Sequence, residues 1–226
     1  MMLIRSFTAS VVGLGLLASP SPWVPQALAA PTAFTSKGVA TSYQNGQSTQ
    51  VPNTLYYDKG RIRLEMSPPS SANPDEGPAF SVVLAREGSD TITLLNPTDK
   101  QAMRLNASTV QAVTENPSLQ KLSAFNLSEF GRTFRAQGKK LGAESVAGEP
   151  CTVLEQKGQD GHFRLWLSDK HEVPLKFVYL EGGKPAFDYE VKQFSATGGL
   201  GESAFVVPAG YETIDMSEML KGAGQH

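Results

Sequence analysis

Period-two alternation, interrupted every few residues by turn formers, constrains this chain more than any other feature. Phe163, Leu165 and Leu167 alternate with His162, Arg164 and Trp166. Phe187, Tyr189 and Val191 alternate with Asp188, Glu190 and Lys192. Ile62, Leu64 and Met66 share one face of a segment whose other face, Arg61, Arg63 and Glu65, reads as solvated. Strands whose two faces differ this way belong to antiparallel sheets with one covered side. The pattern predicts strands over 34–43, 54–57, 61–66, 80–85, 91–95, 101–105, 144–156, 162–168, 175–180 and 186–194, with a last short edge at 205–207. Asp58-Lys59-Gly60 joins two of them as a hairpin. Residues 67–79 hold four prolines and no periodic apolar set, and read as a flexible loop.

Between 106 and 142 the period changes to that of a helix. Asn106 is placed to cap a short helix ending before Pro117. Asn126 is placed to cap a second, with Glu129 reaching back in a capping box. Leu127, Phe130 and Phe134 fall on one stripe. The expected fold is mainly β with a small α part: a single curved antiparallel sheet, a half-barrel of nine or ten strands, with a short helical lid. Strand twist curls so wide a sheet and makes its apolar face concave.

The first residues read as an export leader. Arg5 precedes an uncharged apolar stretch, 7–18, and Ala27-Leu28-Ala29 forms an A-x-A cleavage site. The stretch is too short to span a bilayer as a helix. Cleavage after Ala29 is expected, because Pro31 then sits second in the mature chain. The expected organisation is a signal peptide at 1–29, one domain at 30–214 and a frayed tail at 215–226. A chain of that length buries about 70% of its surface on folding. The expected location is the periplasm, with no transmembrane anchor after cleavage.

Losing Arg5 leaves 19 cations against 22 acids, a charge of −3. A weakly acidic chain without a basic cluster argues against nucleic acid. Cys151, the one cysteine, opens the apolar run Cys151-Thr152-Val153-Leu154 beside Glu149. It reads as a small buried hydrophobe rather than a reactive thiol. The three histidines, His162, His171 and His226, are scattered, and no metal-ligand, phosphate-loop or nucleophile-elbow spacing occurs. Ser168, Asp169 and His171 lie on one tight turn, where three neighbours cannot aim at one another as a triad. No cofactor and no enzymatic activity are expected.

Leu165-Trp166-Leu167-Ser168-Asp169, followed by Val173-Pro174-Leu175-Lys176, resembles the corresponding block of the LolA/LolB-like superfamily of periplasmic lipoprotein carriers. Tyr56-Tyr57-Asp58-Lys59-Gly60-Arg61-Ile62-Arg63, Val146-Ala147-Gly148-Glu149-Pro150-Cys151 and Phe205-Val206-Val207-Pro208-Ala209-Gly210-Tyr211 resemble an exported branch of it. The likeness spreads over 34–214. It implies a half-barrel with helices plugging an apolar cavity, which in those carriers takes acyl chains.

Alternation then names the residues expected to line such a cavity: Ile62, Leu64, Met66, Val82, Leu84, Ile92, Leu94, Met103, Phe163, Leu165, Leu167, Phe177 and Tyr189, faced by Phe130 and Phe134 from the lid. Burying an acyl chain of ~14 carbons at ~0.8 kcal/mol per methylene gives roughly 10 kcal/mol before association costs. The expected function is therefore an exported, non-enzymatic binding protein for a lipid or lipidated protein. The alternative is a structural or regulatory envelope module that binds another protein through its sheet.

Overall fold

The computed structural model describes residues 33–44, 46–67, 82–106, 127–157 and 161–216. The expected leader, most of the 67–79 loop, the first expected helix, the Asn126 cap and the end of the tail lie outside these residues. Six strands come first: β1 (Ala33–Gln44), β2 (Gln47–Asp58), β3 (Arg61–Met66), β4 (Val82–Arg86), β5 (Thr91–Asn96) and β6 (Gln101–Asn106). Helix α1 (Leu127–Gln137) follows. Then come β7 (Lys139–Val146), β8 (Glu149–Lys157), β9 (His162–Ser168), β10 (Pro174–Glu181), β11 (Lys184–Thr197) and β12 (Glu212–Asp215).

The described strands form one open, curved sheet of twelve, ordered β12-β6-β5-β4-β3-β2-β1-β11-β10-β9-β8-β7. Two antiparallel meanders, β1–β6 and β7–β11, meet where β11 pairs with β1. The chain between β6 and β7 passes from one side of the sheet to the opposite edge, and α1 lies on this connection. β12 departs from the expected meander, because it pairs parallel to β6.

Three expectations about elements are corrected. Residues 144–156 form not one strand but the end of β7, a turn and most of β8. Val146 pairs with Glu149 across Ala147 (φ 53°) and Gly148 (φ 80°), two left-handed residues in a two-residue hairpin. Alanine seldom adopts that conformation, so the sequence gives little warning of the turn. Lys139–Gly142 belongs to β7 rather than to the helical insertion. Residues 205–207 form no strand; a 3₁₀ turn covers Glu202–Phe205, and the last strand is β12.

Cross-strand register separates the two faces. Leu154, Leu165, Phe177 and Tyr189 form one row. Phe34, Tyr57, Ile62, Ala85, Ile92 and Leu105 form another on the same side. Phe134 of α1 packs on Leu154, Leu165 and Leu167, which makes this the helix face.

The opposite face is not bare. After β11 the chain crosses it and rejoins the sheet as β12. Val207 and Tyr211 of this strap cover Val82, Leu84, Leu95 and Ala102. Arg63 donates to the Ala204 carbonyl (3.2 Å). Arg61 pairs with Asp58 (2.8 Å) and Glu202 (3.4 Å), and lies 5.0 Å from the Phe205 ring centre. The Arg61, Arg63 and Glu65 face, expected to be solvated, therefore lies partly under the strap.

Candidate functional site

The helix face is the candidate site, and α1 is fixed on it at defined points. Arg135 reaches Glu172 (3.6 Å) and Asp169 (4.0 Å) in the β9–β10 turn. Gly131 lies so close to this turn that a β-carbon there would stand 2.9 Å from the Glu172 carbonyl oxygen. The turn is itself held firmly. Thr152 donates to Asp169 (2.6 Å), the His171 amide donates to Ser168 Oγ (3.1 Å), and the Ser168 amide donates to the Val173 carbonyl (3.0 Å). Ser168, Asp169 and His171 are thus occupied as a structural turn. His171 faces Glu149 (3.7 Å) and the Phe194 ring.

Beneath the helix the side chains are aromatic. The Phe130 ring lies tilted, 5.0 Å from Phe134 and 6.5 Å from Phe177. Phe177 continues to Phe163 (5.7 Å) and Phe187 (6.3 Å), and Phe163 to Tyr179 (4.9 Å). Such tilted pairs suit the ring quadrupole. The series grades from buried Phe134 to exposed Phe187.

The expected lining residues divide as follows. Phe163, Leu165, Leu167, Phe177, Phe130 and Phe134 converge in this one cluster. Leu165 and Leu167 have no exposed surface, so they are floor rather than lining. Tyr189 lies on the same face, closed over Gly38, where a β-carbon would stand 2.8 Å from its hydroxyl. Burial raises its pKa, and a hydrogen bond from Ser36 opposes the rise. Ile62 packs with the Phe34–Tyr57 group. Leu64 and Met66, half-buried, share its face along β3. Leu94 and Met103 pack around Ile92 and Leu105, with Met216.

Val82 and Leu84 are corrected. They pair with Glu65 and Arg63 and so lie on the opposite face, under the strap. Val83 and Ala85 take their places on the helix face. β4 is covered on both sides, so Val82-Val83-Leu84-Ala85 is a continuous apolar run that carries no phase. A one-residue choice then reverses the strand.

Sequence reasoning also missed Phe34, Tyr57, Leu105, Leu154, Tyr179 and Phe187 on this face. Leu105 and Phe187 had a usable signal, since they share parity with Met103 and Tyr189. Asn53 had none. It sits between Gly38 and Met66, and its Oδ1 is buried with no hydrogen-bond partner among the described residues.

On the opposite face, Leu141, Gly142, Ala143, Glu144, Val153, Arg164 and Trp166 border a groove of about 140 Å³. Pockets for small organic ligands start at about 300 Å³. The Trp166 indole donates to Glu144 (2.7 Å), and Lys176 lies 4.9 Å from its ring centre.

No protein-family model and no curated protein matches the sequence. Solved structures do match. An uncharacterized conserved protein from Thermus thermophilus is 15% identical, with 82% of this chain and 91% of that one covered and a TM-score of 0.52. MucB, in the MucA/MucB complex from Pseudomonas aeruginosa, is 16% identical at a TM-score of 0.48, with 80% of this chain covered. The chain spans only 58% of that structure's length. A putative outer membrane lipoprotein-sorting protein domain from Vibrio parahaemolyticus is 15% identical at a TM-score of 0.40, covering 76% of this chain and 88% of its own. The likeness to the Thermus thermophilus protein, at 15% identity, speaks to fold alone.

Proposed function

We propose that the protein is an exported, non-enzymatic binding protein that holds an acyl chain or other lipid on the helix face of the sheet. The observation that carries this reading is the aromatic series running from under α1 to the surface at Phe187. It offers a ligand apolar contact and almost no polar chemistry, which suits a hydrocarbon chain. The leader-like start, 1–29, supports export to the periplasm. The sequence resemblance to lipoprotein carriers points to the same ligand class.

Titration of the purified protein with a fluorescent fatty acid, a phospholipid and a lipopeptide tests the proposal. Saturable binding at micromolar protein, weakened several-fold by Phe130→Ala, is the expected result. Phe130 is half-buried and touches both helix and sheet rings, so its loss opens the contact surface without emptying the core. Absence of binding to all three probes sinks the carrier reading and leaves a protein-binding envelope module in its place.

A further inference from the structure

β2 is longer than its neighbour on one side. β1 pairs along all of it, from Gln47 to Asp58. β3 reaches only Asn53–Asp58, and the Ser67 amide on the Pro52 carbonyl (2.9 Å) is the last rung. Beyond that rung, no described residue pairs with the outer side of Gln47–Val51.

The register says which backbone groups no described residue uses. In an antiparallel strand each residue turns its N–H and C=O to the same side, and successive residues alternate. Pro52 turns its carbonyl towards β3, so Gln50 and Ser48 turn theirs the same way. The hairpin between β2 and β3 agrees, because Asp58, which faces Arg61 across its two-residue turn, has the same parity as Pro52. Ser48 and Gln50 therefore present two donors and two acceptors outward, placed symmetrically about Thr49.

The other two edges carry features that discourage pairing. β7 has Lys139, Lys140 and a register shift before Gly142. β12 is four residues long and has Glu212 and Asp215 at its ends. Charge, irregularity and shortness are the usual protections of an edge strand. Gln47-Ser48-Thr49-Gln50-Val51 has no charge, no proline and no irregularity.

We propose that this edge pairs with the same edge of a second copy of the chain, antiparallel, about a two-fold axis at Thr49. Ser48 of each copy then faces Gln50 of the other, and all four outward groups of each copy are satisfied. The uncharged segment meets no like charge, whereas β12 paired in this way would set Glu212 against Asp215. A contact of this size falls below the ~1,200 Å² of a stable interface, so the association is weak and is best read covalently.

Thr49→Cys in the purified protein is the test. On the axis, facing α-carbons of a non-hydrogen-bonded pair stand about 4.5 Å apart, within disulfide reach. Thr49 is exposed, and Cys151 is fully buried and does not compete. Mild oxidation is expected to give a covalent dimer at a rate that rises with protein concentration. Ser48→Cys, off the axis, is expected to give much less. Gln50→Pro in the Thr49→Cys background removes an outward N–H that β1 does not use. Pro52 already occupies the same phase, so the strand tolerates the change. Ser48→Lys with Gln50→Lys crowds cations about the axis and leaves the backbone intact. Both changes are expected to slow crosslinking at least several-fold. Thr49→Cys crosslinking no faster than the Ser48→Cys control overturns the proposal, and so does crosslinking unchanged by the double lysine variant.

Discussion

Cys151 has no accessible surface, and burial pushes its thiol up to about 11. Asp169 and Glu149 add to the rise, while a backbone hydrogen bond at Val146 opposes it. The folded protein should resist a bulky maleimide at neutral pH and react once denatured; fast labelling of native protein would contradict this. Cys151→Ser should cost less in urea denaturation than the ~1–3 kcal/mol of an unpartnered buried hydroxyl, because the thiol already donates to the Glu149 carbonyl (3.4 Å) and a hydroxyl keeps that acceptor. The apolar run and the neighbouring Glu149 were legible in the sequence. Asp169 was not, because it arrives from the β9–β10 turn. Glu190 offers a pH test. Its pKa is held low, first by the hydrogen bond from Lys192 and then by Lys176 across the strand pair. A depressed carboxyl stabilises the fold above its ordinary pKa of 4.5, and that contribution disappears as pH falls through the lowered value. The urea midpoint should therefore drop on acidification below 4.5, and Glu190→Gln should flatten that part of the profile. An unchanged slope in the variant would assign the acid sensitivity to other groups.

At the scale of elements, α1 shows how one glycine sets the position of a helix. Alanine in place of glycine inside a helix normally stabilises it by about 1 kcal/mol. At Gly131 the new methyl would press on the Glu172 carbonyl, a backbone atom in a hydrogen-bonded turn. Gly131→Ala should therefore lower the thermal midpoint, and a rise would show that α1 does not dock as described. Phe134 is only 5% exposed, so Phe134→Ala should cost about 3–5 kcal/mol and release the helix. Measured beside Phe130→Ala, it separates docking of the helix from contact with a ligand. The faces of β3 and β9 were readable because polar and apolar residues alternate there. β4 was not, since both its faces are covered. The hairpin at Ala147-Gly148 was hidden by a residue that seldom marks a turn.

The strap is a property of the whole molecule. It ties the end of the second meander to the far edge of the first, and Arg61 joins hairpin, turn and strap. Asp58 is 3% exposed, with Oδ2 also accepting from the Leu200 amide (3.3 Å). Arg61→Met should lower stability by about 1–3 kcal/mol, the penalty for leaving a buried polar group short of a partner. Truncation after Gly198 should uncover the Val82, Leu84, Leu95 and Ala102 strip. Stronger binding of an environment-sensitive dye and a lower thermal midpoint are the expected readouts. A truncated protein with native dye binding would show that the strip is covered by something other than the strap.

The sequence by itself determined that this chain makes short alternating strands, where most of them begin and end, and that a helical stretch divides them into two sets. These are properties of neighbouring residues: side-chain parity, turn chemistry and the apolar stripe of a helix. Only the tertiary structure decided that β11 pairs with β1, that Val82 and Leu84 face away from the helix, and that the Arg61 face lies under a strap. Each of these depends on which distant surfaces become buried together. Nearby residues carry no record of that choice when a strand is apolar on both faces or when its partner lies more than a hundred residues away.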